Sequence, residues 1–393
     1  MKIVMLCDFY IHTLQYQENL LVKYYIKQGH EVTIITATFE SIFDYMADKY
    51  DKNIPAHEFF DSGAKIVKLP FSVNILNRIR KLRGVGKILE REQPDIIFLH
   101  DIMLNIYEVK KYKVKHQNCK IILDCHADYS NSGKNWLSRN ILHKVIRKSF
   151  LYLILKDIEK IYPIVPYSFT FLNELYGIPY NRMELLPLGT DTDKFNEIIS
   201  QNKRGEIREK LGIPTDAFVI FTGGKLDSIK KTDILIEAFK NLSDPRIHLI
   251  IVGKTSDSDA SYKAKLEALM QNDKNIHLTG WLNGDGVYEY MSASDIGVFP
   301  ASQSVLWQQA IGMGLPLIIG PHKGQDISYL NIYNCLIILG KNQITIQEIE
   351  KNIKKLMNDT VLLEEMKKAA FKTSNEYLSY DRIAKETLNF NNK

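Results

Sequence analysis

The sequence predicts an α/β protein made of two doubly wound, mostly parallel sheet domains. Three observations predict this class: a length of 393 residues, apolar strand-like runs that alternate with helical patterns in both halves, and Pro and Gly residues that interrupt the alternation at 186–191. A chain of this length suggests about two domains. Strands separated by helices typically form parallel sheets. The expected domains are residues 1–188 and 189–374, with a C-terminal helix at about 375–393 that packs back on the first domain.

The strands of the first half are short apolar runs that follow polar or turn residues. Lys2–Leu6 is the first, and apolar residues at helical spacing follow over 17–28. Gly29 ends that helix, and Val32–Thr36 is β-branched and therefore strand-like. Three further strands have the same character: Lys65–Leu69, Asp95–His100 and Lys120–Asp124.

The second half repeats this alternation of strands and helices. Its strands are Phe218–Thr222, His248–Val252, Ile276–Leu278, Ile296–Phe299 and Leu315–Ile319, with helices over 231–241 and 261–270, and two or three more over 345–390. Ligands of such sheets bind beyond the carboxyl ends of the strands. We therefore expect a ligand in a cleft between two facing domains, against residues that directly follow strands.

Composition and charge are those of a folded, soluble protein. Hydrophobic residues make up 45% of the chain and charged residues 25%, which disfavours disorder, collagen and coiled coil. No apolar stretch approaches about 18 residues, and the first residues lack a signal-peptide pattern, so a cytoplasmic protein is expected. Four distant cysteines predict neither a zinc knuckle nor a disulfide framework.

The net charge of +5 comes from the N-terminal half, where basic residues cluster at 78–83 and 144–148. Such clusters attract anionic lipid, nucleic acid or a phosphorylated substrate. A solvated surface without a partner is the alternative.

Several familiar motifs fail on their spacing. Gly253-Lys254-Thr255 resembles the end of a phosphate-binding P-loop, but the position five residues before Gly253 is His248 instead of glycine. Asp191-Thr192-Asp193 and Asp257-Ser258-Asp259 look like metal-holding pairs, but both lie in turn-rich stretches where Asp is common. We expect no bound metal.

The best ligand-binding pattern follows the first strand of the second half. Gly223 and Gly224 allow the backbone to approach a ligand, and Lys225 and Lys230 can flank a diphosphate. Lysines are unfavourable at the start of a helix unless an anion binds there, which argues against a merely solvated helix start.

Two more segments follow predicted strands. Ser and Gln residues at 302–304 precede a predicted short helix. The free N–H groups at the start of that helix suit a phosphate or sugar hydroxyls. The alternative is a helix that Ser caps without any ligand. In the first half His126 lies in a loop after a strand, a position typical of catalytic groups. His100-Asp101 is a second candidate of this kind, and a structural histidine is the alternative for both.

These stretches, in this order and over nearly the whole chain, resemble retaining glycosyltransferases of the GT-B fold, most closely glycosyltransferase family 4 (glycosyl transferases group 1). Leu188 stands where the family has Asn, Lys225 stands where it has Arg, and Lys230 matches its Lys. The segments that carry the resemblance are Gln28–Val32, Leu186–Asp191 with Phe195, Gly224–Ala238, Asn275–Gly280 and Gln309–Pro316.

The resemblance implies two Rossmann-like domains that face a central cleft, with a nucleotide-sugar donor on the C-terminal one and an acceptor on the N-terminal one. It implies metal-independent transfer on one face of the sugar, with no cofactor. Lys225 and Lys230 would stabilise the departing diphosphate and His126 would reach the sugar. The donor-side residues are Gly223, Gly224, Lys225, Lys230, Gly253, Gly280, Ser302, Gln303, Ser304 and Gln309, and the acceptor-side candidates are His12, His100, Asp101 and Asp128.

One departure from the family concerns two Glu residues that precede its "A-x-x-x-G-x-P" segment. The second of them is Gln309 in this chain, and residues 300–309 contain no carboxylate. A charge-assisted hydrogen bond is worth about 1.5–3 kcal/mol. The change therefore weakens donor binding or marks another sugar.

The resemblance thus implies a metal-independent hexosyltransferase (EC 2.4) that acts in bacterial surface polysaccharide or glycoconjugate synthesis. Its predicted partners are a nucleotide sugar, with UDP favoured over GDP, and a glycan or polyprenyl-pyrophosphate-linked acceptor. No nucleic acid is expected, and the basic N-terminal half fits a peripheral contact with the anionic inner face of the plasma membrane. Two alternatives stay open: a catalytically silent GT-B binding or scaffold subunit, and a nucleotide-sugar epimerase.

Overall fold

The chain folds into two compact units, each with its own parallel sheet and its own core. The computed structural model describes residues 1–12, 14–40, 44–45, 48–255, 259–282, 284–302, 304–321 and 325–390. The first unit comprises Met1–Pro187 with Ile383–Lys393, and the second comprises Leu188–Arg382.

The first unit is built on a seven-stranded sheet of order β3-β4-β2-β1-β7-β8-β9. Its strands, with those of the separate β5–β6 hairpin, are β1 (Lys2–Cys7), β2 (Glu31–Ala37), β3 (His57–Asp61), β4 (Ala64–Leu69), β5 (Phe71–Ile75), β6 (Ile79–Leu82), β7 (Ile96–His100), β8 (Lys120–Cys125) and β9 (Ile158–Pro163). All pairs in the sheet are parallel except β3 with β4. The central strands are buried along almost their whole length, as expected for a parallel sheet covered on both faces.

The helices of the first unit connect these strands. The described helical segments are Gln17–Lys27, Val85–Glu92, Ile106–Lys115, Ser138–Arg147, Lys148–Ile154, Pro166–Phe171, Leu172–Tyr176 and Tyr180–Arg182. Ser138–Arg147 has the wide turns of a π-helix and continues directly into Lys148–Ile154. His143 is the one fully buried side chain of Ser138–Arg147, and the other residues of this helix are exposed or partly buried.

The second unit is built on an all-parallel sheet of order β12-β11-β10-β13-β14-β15. Its strands are β10 (Phe218–Gly223), β11 (Ile247–Val252), β12 (Ile276–Gly280), β13 (Ile296–Ser302), β14 (Leu317–Pro321) and β15 (Leu336–Ile338). Its described helical segments are Thr192–Ser200, Lys203–Leu211, Ser228–Lys230, Thr232–Leu242, Ala260–Met270, Gly284–Ser292, Leu306–Gly312, Ser328–Leu330, Lys341–Gln343, Ile346–Asn358, Thr360–Thr373 and Ser374–Leu378, and Tyr380–Thr387 runs on into the first unit.

The two ends of the second unit are tied to each other by backbone hydrogen bonds. The Thr190 N–H donates to the carbonyl oxygen of Leu378 at 2.8 Å, and the Tyr380 N–H donates to that of Thr190 at 3.2 Å. These bonds form a parallel bridge between Thr190 and Ser379. The chain therefore enters and leaves the second unit at one place.

The structure confirms the predicted class of two parallel-sheet α/β units. It adds strands that the sequence analysis did not predict: β3, β9, β15 and the β5–β6 hairpin. In β9 the residues Glu159 and Lys160 interrupt the apolar run, and they hide the strand from a search for continuous apolar segments. Among the described residues, no helix combines the length and the apolar character needed to cross a bilayer.

Candidate active site

Glycines lie at or directly after the carboxyl ends of β10, β11 and β12, and their backbones are in contact. The Gly224 N–H donates to the Val252 carbonyl at 2.8 Å, and the Gly253 N–H donates to the Gly280 carbonyl at 2.8 Å. A Cβ on Gly253 would lie 1.9 Å from the Gly224 carbonyl oxygen, and one on Gly223 would lie 2.7 Å from that of Val252. Only glycine permits this approach. The predicted donor-side glycines are therefore brought together at one edge of the sheet.

The ammonium group of Lys230 lies over this glycine edge. A Cβ on Gly224 would be 2.7 Å from the Lys230 Nζ and 3.9 Å from the Ser304 Oγ. Burial lowers the pKa of Lys230, and the charge of Lys225 lowers it further. Within the described part of the chain, Asp227 is the acid that opposes this shift, and it acts without a hydrogen bond. A partly buried cation without a bonded counter-charge favours binding of an anion.

The remaining donor-side candidates lie around β13 and the helix after it. The Ser304 Oγ accepts a hydrogen bond from the Leu306 N–H at 3.3 Å, at the start of Leu306–Gly312. The N-cap of this helix is Val305 and no side chain caps it, so the contact of Ser304 belongs to the turn before the helix and the predicted Ser cap is absent. Gln309 is 7% exposed on the same helix. Gln303 lies outside the described residues, and Ser302 is the last residue of β13.

A second group of polar side chains is built on the carboxyl ends of β7 and β8. Asp124 is completely buried, and its Oδ2 lies 3.0 Å from the His100 Nδ1 and 3.2 Å from the His126 Nε2. Its Oδ1 accepts a hydrogen bond from the Asp101 N–H at 3.1 Å. The Asp101 Oδ1 accepts one from the His126 N–H at 3.3 Å. The buried carboxylate of Asp124 thus holds both imidazoles and the backbone at Asp101, directly after β7.

The charges of this group depend on one another. Burial alone would lower the pKa of His100, but the carboxylates of Asp124 and Glu18 outweigh burial and raise that pKa to about 10. Burial alone would raise the pKa of Asp124, but His100 and His126 hold it well below its usual range. At neutral pH His100 is therefore a cation paired with an anionic Asp124. His126 is the more exposed of the two imidazoles.

The same three side chains are of the kinds that hold a divalent metal ion. One ligand atom from each of His100, Asp124 and His126 lies within 4.8 Å of the others. Two imidazoles and a carboxylate suit zinc or ferrous iron. In the hydrogen-bonded arrangement His100 is protonated and its Nδ1 donates to Asp124. Metal-independent catalysis stays a prediction.

The other acceptor-side candidates, Asp128 and His12, lie outside the group around Asp124. The buried carboxylate of Asp128 accepts hydrogen bonds from the N–H groups of Ser130 at 2.6 Å and Asn131 at 3.2 Å, and it thereby shapes the turn after β8. His12 packs edge-on against Phe59, with ring centroids 5.7 Å apart. Of the metal-like acid motifs, Asp257 and Ser258 lie outside the described residues.

Sequence reasoning did not single out Asp124. It treated this residue as the end of an apolar strand. An acid inside the run Ile-Ile-Leu-Asp-Cys, two residues before His126, was the available signal. The pairing with His100 comes from the neighbouring strand, 24 residues away, and the sequence does not show it.

Both halves of the chain match family models. Residues 203–373 match "Glycosyl transferases group 1", and residues 19–194 match "Glycosyltransferase Family 4". A D-inositol 3-phosphate glycosyltransferase of Xylanimonas cellulosilytica is 31% identical over 100 residues, which are 25% of this chain and 24% of that protein. A lipopolysaccharide 1,2-N-acetylglucosaminetransferase of Salmonella typhimurium is 20% identical over 249 residues, 62% of this chain and 56% of that protein. The chain thus spans about a quarter to just over half the length of these relatives.

Similarity to a solved structure extends over the whole chain. The Anabaena protein HepE, crystallised in complex with UDP and glucose, superimposes with a TM-score of 0.66 at 14% sequence identity. The superposition covers 99% of this chain and 98% of HepE. At this level of identity the likeness concerns the fold.

Proposed function

This chain belongs to the GT-B glycosyltransferases, and from that premise we propose that it moves a sugar from a nucleoside-diphosphate sugar to a glycan or lipid-linked acceptor with retention of configuration. One family match covers most of the first unit and the other lies within the second, so both halves support the premise. UDP in the complex with HepE supports UDP as the carrier. The lipopolysaccharide transferase of Salmonella supports a role in bacterial surface glycan synthesis.

The observation that carries the proposal is the position of Lys230 over the glycine edge. Because Gly224 has no side chain, the ammonium of Lys230 lies against bare backbone at the end of β10. A diphosphate bound there would supply the counter-charge that Asp227 does not supply by a hydrogen bond. Lys225, exposed in the same loop, would add a second positive charge.

In the proposed reaction the bond between the sugar C1 and the diphosphate oxygen breaks, and a bond between C1 and the acceptor oxygen forms on the same face. The acceptor's proton passes to the departing phosphate oxygen, so the step requires no nucleophile from the protein. Lys225 and Lys230 stabilise the charge that develops on the diphosphate. Such preorganised electrostatic stabilisation is usually the largest single contribution to catalysis.

His126 is proposed to contact the donor sugar. Its ring is the more exposed of the two imidazoles that contact Asp124, and Asp124 restricts how the ring can turn. A fixed imidazole can hydrogen-bond a sugar hydroxyl without first losing rotational freedom. In this role Asp124 is a positioning residue, since it acts through His126.

A silent GT-B subunit is the second candidate function, and the residue that favours it is Gln309. An amide stands where the family has a carboxylate, and it can hydrogen-bond the ribose hydroxyls only without charge assistance. Such a protein would bind the donor without turning it over.

The testing experiment combines nucleotide binding with turnover. Calorimetric titrations with UDP, GDP, ADP and CMP identify the base, and mass spectrometry then follows UDP-sugars in the presence of candidate acceptors. We expect one nucleoside diphosphate to bind and its sugar to be transferred with the α or β configuration kept. If no nucleotide bound even at millimolar concentration, the proposal would be wrong. Binding without any transfer or hydrolysis would favour the silent subunit.

A further inference from the structure

A cavity of about 440 Å³ opens in the first unit between the β5–β6 hairpin and the segment that follows β8. We call it the hairpin cavity, and its lining residues fall within 75–79 and 131–147. The hairpin follows β4, and β4 and β8 run parallel in one sheet, so both end at the edge where His126 lies. The volume is within the range of small-molecule sites, and the edge is the one where such sheets bind ligands.

The lining of the hairpin cavity carries positive charge only. Arg78, Lys134 and Arg147 contribute to it, and its described lining includes no Asp or Glu. The guanidinium of Arg147 donates to the carbonyl oxygen of Arg78 at 3.4 Å, which brings these two residues together. In the part of the chain that the structure describes, no ion pair joins any of the three to an acid.

Two neighbouring basic residues of the hairpin, in contrast, form ion pairs with acids. Arg80 pairs with Asp8 at 2.7 Å, and Lys81 pairs with Glu108 at 2.9 Å. The basic run seen in the sequence is therefore neutralised within the fold at two of its positions. No acid among the described residues pairs with Arg78, and Arg78 lines the cavity.

Polar side chains such as Asn131 and Ser138 also line the cavity, but most of the other side chains that line it are apolar. They include Ile75, Leu76, Ile79, Leu137, Ile141 and Ile146. Leu76 is 89% exposed at the tip of the hairpin, and Leu137 and Ile141 are exposed as well. Exposed apolar side chains that rim a cavity mark a site for an apolar ligand or partner.

The turn that presents Leu76 is conformationally strained. The Arg78 N–H donates to the Ile75 carbonyl at 3.0 Å, and Leu76 and Asn77 have φ of 51° and 54°. This is a type I′ turn, in which Asn and Gly are the usual central residues. A leucine in the left-handed region is unfavourable and gains nothing from burial here, so folding does not account for its presence.

We propose that the hairpin cavity binds an anionic amphiphile: an acceptor whose phosphate or diphosphate contacts Arg78, Lys134 and Arg147 and whose hydrocarbon chain packs against Leu76 and the apolar rim. The inference rests on the proposed function, because it assigns the cavity to the acceptor of that reaction. A neutral sugar would leave the three cations without a counter-charge, and a free phosphate would leave the apolar rim without a partner. One molecule with both parts matches both features.

The test is calorimetric titration of the full-length protein with farnesyl diphosphate, inorganic diphosphate and farnesol, with UDP present at saturation to occupy the donor site. We expect farnesyl diphosphate to bind at least about tenfold more tightly than either of its parts, because each part satisfies half of the lining. Equal affinity for inorganic and farnesyl diphosphate would overturn the proposal. Binding to vesicles of anionic phospholipid is measured in the same way. If the protein bound the vesicles more tightly than farnesyl diphosphate, the cavity would be a membrane contact and the proposal would be wrong.

Two variants locate the ligand in the cavity. Arg78→Gln should weaken farnesyl diphosphate binding about tenfold or more, whereas Arg83→Gln, an exposed arginine after the same hairpin, should change it less than about twofold. Leu76→Asn should weaken it several-fold while raising the melting temperature, since Asn tolerates the left-handed turn. A variant whose melting temperature is raised cannot lose binding by unfolding. Unchanged binding in both would overturn the proposal.

The outcome is separable from that of the proposed function. UDP affinity should be unaffected by Arg78→Gln and Leu76→Asn. If UDP binds and no amphiphile does, the cavity assignment fails and the proposed transferase stands. If the amphiphile binds by these rules and no nucleotide does, the cavity assignment stands as a binding site and the transferase proposal fails.

Discussion

The Nε2 of His126 lies 3.2 Å from the Oδ2 of Asp124, a carboxylate oxygen that also faces the Nδ1 of His100. Asp124 has no exposed surface, so both of its partners are held against an anion that water does not reach. A buried charge is tolerated only when it is paired and hydrogen-bonded. The orientation of His126 is therefore linked to the stability of the unit that carries it.

We expect Asp124→Asn to lower kcat about tenfold or more while the Kd for UDP changes less than about twofold, because the variant loosens His126 and leaves the second unit intact. The free energy of unfolding should also fall by about 1–3 kcal/mol, since His100 loses its charged partner. Steady-state kinetics, UDP titration and urea unfolding give the three values. Asp95→Asn, at the amino end of β7, is the matched control and should leave kcat unchanged.

Stability should depend on pH through His100. Its pKa in the fold is about 10, above the value of about 6.5 for an unperturbed imidazole. The stabilisation is therefore complete below about pH 6.5 and is lost progressively as the pH rises towards about 10. Urea unfolding of wild type and His100→Gln at about pH 6 and about pH 9 measures it. We expect the difference between the two proteins to shrink at the higher pH, and a difference that grew would contradict the assignment.

Gly224→Ala tests the contact between the glycine edge and Lys230. The new Cβ would lie 2.7 Å from the Lys230 Nζ and the φ of 108° would be strained. The flexible lysine can swing away, so the main loss should be in UDP affinity, about tenfold, with a stability cost of about 1–2 kcal/mol from the backbone. Gly212→Ala is matched for positive φ but has nothing within 4 Å of its Cβ. It should lose stability without losing UDP affinity.

Lys230→Ala should weaken UDP binding about tenfold to a hundredfold, as expected for loss of a charge-assisted contact with a diphosphate. Because burial lowers the pKa of Lys230, UDP affinity of the wild type should fall as the pH rises through that pKa. The fall should be absent in Lys230→Ala. Lys274→Ala removes an exposed lysine of the same unit and should leave both affinity and its pH dependence unchanged.

Much of the fold follows from local patterns in the sequence. β1 and β10 were predicted to within one residue of their observed ends, because each is a continuous apolar run with a turn after it. β5 and β6 were not predicted, since Asn74 and Arg80 lie within them and most of their residues are only partly buried. A hairpin outside the main sheet lacks the apolar pattern that reveals a buried strand.

The sequence predicted individual site residues in both halves, but it predicted contacts between them only where they are close in sequence. Gly223, Gly224 and Lys230 lie within eight residues of one another, and their arrangement follows from one strand end and one turn. The partnership of His100 with Asp124 depends on β7 and β8 being neighbours in register. No spacing within a single segment encodes that contact, and the same holds for the two sides of the hairpin cavity.

The bridge between Thr190 and Ser379 joins the start of the second unit to its end. Both of its ends meet at one place, so the first unit hosts it much as a protein hosts an inserted domain. A recombination event that cut at 188 and 382 would exchange the second unit without breaking a strand of either sheet, and its second cut would fall within the helix Tyr380–Thr387. The second unit could thus be replaced as one contiguous segment of the gene, while every strand of the first unit stayed intact.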